Sequence, residues 1–196
     1  AFNIRHLYPT LGECFRHAFF QVGSIITTTG YATTDFDLWP EVSKTILVLL
    51  MVIGACAGST GGGLKISRLL ILCKSIPKQL SLVIHPREIK VIKMDGKAIE
   101  HQVMRATNVY LAIYFFITLG STLFVSVDNF DFTTNFTAVV SALNNIGPGL
   151  AGVGPTRNFG AFSVFSKFVL MFDMLAGRLE LYPLLILFMP SLWRRK

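Results

Sequence analysis

The chain has 196 residues, of which 52% are hydrophobic and only 15% charged, with a net charge of +7 and a mean hydropathy of +0.56. A soluble domain carries roughly a quarter charged residues, so this chain has too little solvated surface for an ordinary water-soluble fold, and the composition is that of an integral membrane protein. Cys14, Cys56 and Cys73 form no CxxC pair and no even set, which argues against a disulfide framework and for small buried apolar side chains.

In chain order, the first apolar run ends abruptly in IITTTGYATTD, residues 25–35. A short helix that stops in hydroxyls and glycine predicts a pore helix and polar strand over about 15–31. The loop that follows carries Asp35, Asp37 and Glu41. A second helix is expected over about 41–76, broken by IGACAGSTGGGLK at 53–65, where four of the six residues from Gly58 to Gly63 are glycine. Each interior glycine costs a helix up to about 1 kcal/mol relative to alanine, so the helix must open there. The spacing is not that of a phosphate-binding loop, because Leu64 separates Gly63 from Lys65 and no soluble strand precedes it. A flexible break inside the membrane, able to lie across a pore, fits the pattern.

Nine of the eighteen basic residues fall between Lys65 and Arg105, and Arg194, Arg195 and Lys196 close the chain. By the positive-inside rule both regions are cytoplasmic. The acidic loops, with Asp128 and Asp131 after the next span, then face outward, where they raise the local cation concentration. The basic stretch lies beside membrane spans, so nucleic-acid binding is not expected. A long helix is predicted over about 103–127, with no charge in the 19 residues from Val109 to Val127. That length crosses a hydrocarbon core about 30 Å thick. A short helix over 133–143, the polar stretch NNIGP at 144–148 and a long helix over 163–189 complete the series. Arg178 and Glu180 lie midway along that last span, where charge is costly and marks function or pairing. Arg178 is expected to face the glycine break and hold its carbonyls. The four histidines share no span with a well-placed serine or cysteine, so the sequence does not read as an intramembrane enzyme.

The chain repeats itself. A shift of 117 places Phe19 on Phe136, Val22 on Val139, Ser24 on Ser141 and Gly30 on Gly147; a shift of 123 places Ser43–Lys44 on Ser166–Lys167 and Gly54 on Gly177. Each unit reads as long helix, short re-entrant helix, polar strand, long helix, and the first copy lacks its opening helix. Non-helical backbone at membrane depth survives only where protein buries it or where it lines a watery path. Gly30 and Gly147 permit the dihedrals that turn successive carbonyls towards an axis, which is how a selectivity filter replaces an ion's hydration shell. Neutral oxygens from threonine and asparagine favour a weakly hydrated monovalent cation over calcium, which prefers carboxylates.

TTTGY followed by D and WP, then GACAGSTGGGLK, HPREI, NNIGPG, MLAGRLE and a tryptophan-basic tail resemble the Trk/Ktr/HKT potassium transporter family, of its TrkH type, across nearly the whole chain. The resemblance implies an all-α integral membrane fold of repeated membrane helix–pore loop–membrane helix units, here a partial chain, that takes up potassium across the bacterial inner membrane. Residues 1–84 then correspond to a third unit without its first helix, 85–102 to a cytoplasmic loop and 103–196 to a complete fourth unit ending in the cytoplasm. It implies a potassium-binding filter at Thr28, Thr29, Gly30, Tyr31, Asn145, Ile146, Gly147 and Pro148, with the ion at Thr28, Thr29, Asn145 and Ile146. The gate falls on Gly58, Ser59, Thr60, Gly61, Gly62, Gly63 and Arg178. The implied partners are a second copy in a homodimer, a cytoplasmic nucleotide-binding regulatory ring and the lipid bilayer. The alternative is a non-conducting fragment that acts only in assembly. Asp173 is an acid that neither the residue pattern nor the resemblance explains.

Overall fold

In the computed structural model, residues 1–56, 58–59, 62–85, 92–94 and 97–178 are described. Among these residues lie six α-helices: α1 (Leu11–Ile26), α2 (Glu41–Ile53), α3 (Ile66–Ile84), α4 (His101–Val125), α5 (Phe132–Leu143) and α6 (Val164–Arg178). Helix α1 begins four residues earlier than the apolar run suggests, because the Thr10 hydroxyl accepts from the Glu13 N–H and caps it. The 41–76 helix is two helices. Helix α2, at 1.5 Å per residue, is about 20 Å long, too short to span a membrane, and stops at Gly54 with φ +69°. A two-strand hairpin, β1 (Lys93–Met94) with β2 (Lys97–Ala98), precedes α4; nothing in the hydropathy pattern announces it.

Helix α4 is the one helix among the described residues long and apolar enough to cross a membrane. Its sidedness inverts that of a soluble helix. Thr107, Tyr110, Tyr114, Thr118, Ser121 and Thr122 are buried, whereas Phe116 is 71% and Leu123 70% exposed. A solvent of lipid explains this: apolar side chains need no cover there, and hydroxyls turn inward to find acceptors. Thr107, Thr118 and Thr122 each return their hydroxyl to the carbonyl four residues back.

Helices α4, α5 and α6 pack on one another, and α1 packs on α2. Helix α5 is buried along nearly its whole length, from Thr134 through Leu143. One apolar cluster joins the two halves of the chain: Ile25, Leu47 and Met51 from the first meet Val140, Ile146 and Leu150 from the second.

Candidate functional site

The polar stretches after α1 and α5 are built on the same backbone plan. Helix α1 ends with Thr28 N–H on the Ile25 carbonyl and Thr29 N–H on the Ser24 carbonyl; α5 ends with Asn145 N–H on Ala142 and Ile146 N–H on Ser141. This is a Schellman cap at each helix end, a motif whose left-handed residue is usually glycine. Here it is Thr28 at φ +54° and Asn145 at φ +55°. A β-branched residue at positive φ is a genuine outlier and costs on the order of 1–3 kcal/mol. Two residues further on, Gly30 (φ +79°) and Gly147 (φ +110°) are again left-handed. A left-handed residue at every second position is not the backbone of an ordinary strand. A serine braces each stretch from inside the helix. Ser24 Oγ donates to the Tyr31 carbonyl at 2.6 Å, and Ser141 Oγ accepts from the Gly147 N–H at 3.1 Å.

The two stretches touch. A Cβ built on Gly30 would collide with the Ile146 carbonyl and lie 3.3 Å from Pro148 Cδ. On Gly147, a Cβ would meet nothing within 4 Å. The Gly147 side continues into an apolar cavity of about 410 Å³ lined in part by Ser141, Phe159, Met171 and Met174. Helices α1 and α5 both direct their C-terminal, partly negative ends at this region.

Against the second stretch pack the glycine break and the last described turn of α6. The break folds back on itself, with Leu64 N–H on the Val52 carbonyl and Ile66 N–H on the Ala55 carbonyl. Gly62 then packs against the Asn144 carbonyl so tightly that a Cβ would clash, and a Cβ on Gly63 would lie 3.4 Å from Asn144 Oδ1. Gly177, one residue before Arg178, packs equally closely on the Leu143 carbonyl. Thus the loop and the turn of α6 that carries Gly177 and Arg178 both rest on residues 143–145. Gly58 (φ +85°) is open to its surroundings. Ser59 lies in the same loop, while Thr60, Gly61 and Glu180 lie outside the described residues.

Asn144 is a residue that the glycine pattern did not single out. It is fully buried, and its Nδ2 donates to the Val140 carbonyl at 2.8 Å and to Tyr114 Oη at 2.9 Å. Asn145, by contrast, sends Nδ2 to the Met174 carbonyl at 3.1 Å. On the other side, Asp37 Oδ1 accepts from the Ala151 N–H at 3.0 Å and Asp35 Oδ2 from the Thr156 hydroxyl at 3.2 Å. The acidic loop of the first half therefore clamps the loop of the second.

Short helices, left-handed polar stretches and an intramembrane break define a helical membrane protein of the pore-loop class. The chain belongs to the TrkH family of cation transport proteins, whose pattern it matches over residues 7–195. It is 39% identical over 189 residues to the Trk system potassium uptake protein TrkH of Vibrio parahaemolyticus, covering 96% of this chain and 39% of that protein. To TrkH of Salmonella typhimurium it is 36% identical, with the same coverage. To TrkG of Escherichia coli it is 34% identical over 196 residues, 99% of this chain and 40% of that one. The crystal structure of the potassium transporter TrkH from Vibrio parahaemolyticus superposes with a TM-score of 0.84, over 96% of this chain and 40% of that chain. The chain thus spans about two fifths of the length of these relatives.

Proposed function

We propose that this chain forms part of a potassium pathway across the plasma membrane, as a portion of the pore-forming subunit of a Trk-type uptake system. The observation that carries it is the pair of matching left-handed stretches pressed together at Gly30 and Ile146. Potassium is the transported substrate, held by backbone oxygens of Thr28, Thr29, Asn145 and Ile146, with Gly30, Tyr31, Gly147 and Pro148 shaping the strands. Residues 1–84 and 103–196 are then two neighbouring quarters of a four-part filter, joined by the cytoplasmic loop 85–102. The apolar cavity beside Gly147 is where a further quarter of the whole protein seats.

In this reading Gly58–Gly63 is the gate, lying across the path below the filter, and Arg178 holds it from α6. The supporting geometry is the shared floor at residues 143–145. The basic cytoplasmic face around Lys65–Arg105 receives a nucleotide-binding regulatory ring, the whole transporter is a homodimer in the inner membrane, and the C-terminus is cytoplasmic. Rubidium uptake in liposomes tests the reading. The whole transporter carrying this segment takes up rubidium, and Arg178→Ala raises the rate; unchanged flux in Arg178→Ala removes the arginine from the gate. Liposomes holding this chain alone test the rival reading of a non-conducting assembly piece: rubidium uptake there would exclude it, whereas two quarters of a filter and an assembly piece would both be silent.

A further inference from the structure

Asp173 lies on the buried face of α6, with no accessible surface. Ser121 Oγ on α4 donates to Asp173 Oδ1 at 2.7 Å. Its other oxygen, Oδ2, has no hydrogen-bond partner among the described residues. On the same face, one turn before it, Leu170 packs with Ala138 and Ala142 of α5, and one turn after it Ala176 packs with Tyr110, Tyr114 and Leu143. Of the elements packed on α6, α5 carries no charged residue between Phe132 and Leu143. Helix α4 brings Tyr110 and Tyr114, with His101 and Arg105 at its start. Helix α6 itself brings Lys167, whose Nζ donates to the Gly160 carbonyl at 2.9 Å, and Arg178, five residues on.

An ionised carboxylate at membrane depth is costly and marks ion paths and proton relays. A metal ion needs more oxygens than one carboxylate and one hydroxyl supply. A proton needs one free oxygen, and Oδ2 is that oxygen. The site is also wired to the candidate filter, because the next carbonyl in the chain, that of Met174, is the acceptor for Asn145 Nδ2.

We propose that Asp173 is a membrane-embedded proton-binding site whose occupancy is linked to cation occupancy of the strands at Thr28–Tyr31 and Asn145–Pro148. One proton from water adds to Oδ2 and the local charge changes from −1 to zero, with no other bond altered. The linkage rests on the cation-pathway reading above. The ionised carboxylate favours a cation nearby; by reciprocity the bound cation disfavours the proton by the same factor.

The test uses the whole transporter carrying this segment, in native-like membranes, with two readouts. Infrared difference spectra across roughly pH 4 to 9, the range in which buried carboxyl groups titrate, show a protonated-carboxyl band that Asp173→Asn abolishes. Apparent rubidium affinity falls on acidification by at least about five-fold, and Asp173→Asn removes that fall. A band unchanged in Asp173→Asn overturns the proton site, and an unchanged pH dependence of affinity overturns the linkage. Ser121→Ala keeps the carboxyl and serves if Asp173→Asn does not assemble: a band that moves supports the site, and one that stays overturns it. Loss of rubidium uptake in the unsubstituted protein sinks the transport reading, while the band still decides the proton site.

Discussion

Gly30 and the Ile146 carbonyl are packed so closely that any side chain at position 30 would displace that oxygen. This contact joins the two halves of the chain at the point where each leaves its helix. Gly30→Ala combines left-handed strain, on the order of 1–3 kcal/mol, with overpacking of about 1–3 kcal/mol. Rubidium uptake is expected to collapse and the melting temperature to fall. Gly23→Ala is the control. A Cβ there meets nothing within 4 Å, and in the interior of α1 it stabilises by up to about 1 kcal/mol.

Gly62 sets the position of the break against the Asn144 carbonyl. Alanine at 62 penalises that position by about 1–3 kcal/mol. If the break is the gate, the open-to-closed ratio shifts by roughly 5- to 150-fold and initial uptake rises. A rate equal to that of the unsubstituted transporter would show that the contact does not hold the path closed.

The clamp between loops is expected to show in stability rather than in flux. Asp37→Ala strands the Ala151 N–H, whose residue is held at φ +52°, at a cost of about 1–3 kcal/mol. Asp37→Asn keeps an acceptor oxygen and should lose less. Thermal unfolding in detergent separates the two.

Asp131 caps α5, accepting from the Thr134 hydroxyl and N–H, and these bonds, the hydroxyl first, hold its carboxyl below the usual range. The stabilisation is therefore fully present above the ordinary carboxylate pKa and is lost as pH falls through the lowered value. Melting temperature should decline on acidification below the ordinary carboxylate range. Asp131→Ala costs about 0.5–2 kcal/mol at neutral pH and shows a shallower acid decline. The cap matters to the site because the same Thr134 hydroxyl accepts from the Gly152 N–H at 2.9 Å, in the loop beyond the second strand.

Tyr114→Phe removes the phenol that meets Asn144. Hydrogen bonds between membrane helices average about 0.6 kcal/mol and reach about 1.7. Asn144 keeps its bond to the Val140 carbonyl, so the lower figure is expected from unfolding measurements.

The helices and their order were legible because hydropathy and glycine placement speak directly to them. The start of α1 has a weaker signal of its own, the capping-box pattern Thr10-Leu11-Gly12-Glu13, which lies outside the apolar run. Other features had no such signal. Nothing in TTTG says that Thr28, a poor candidate for positive φ, takes the left-handed position, because that choice is made by the Ser24 brace and the neighbouring strand. Asn144 looked like one polar residue among several, and only its burial against Tyr114 and Gly62 distinguishes it from Asn145. The inward hydroxyls of α4 blur its helical periodicity, since threonine and serine alternate with residues that face lipid. Asp173 stood out by its charge, but its partner Ser121 lies 52 residues away and only the packing of α4 on α6 brings them together.

The central claim is that the stretches after α1 and α5 border one cation path. Crystals of the whole transporter grown with rubidium or thallium test it by anomalous scattering. The account predicts a peak within coordination distance of the carbonyl oxygens of Thr28, Thr29, Asn145 and Ile146. A well-diffracting crystal with no anomalous density at these four residues, or with ions bound only elsewhere along the membrane, would contradict it.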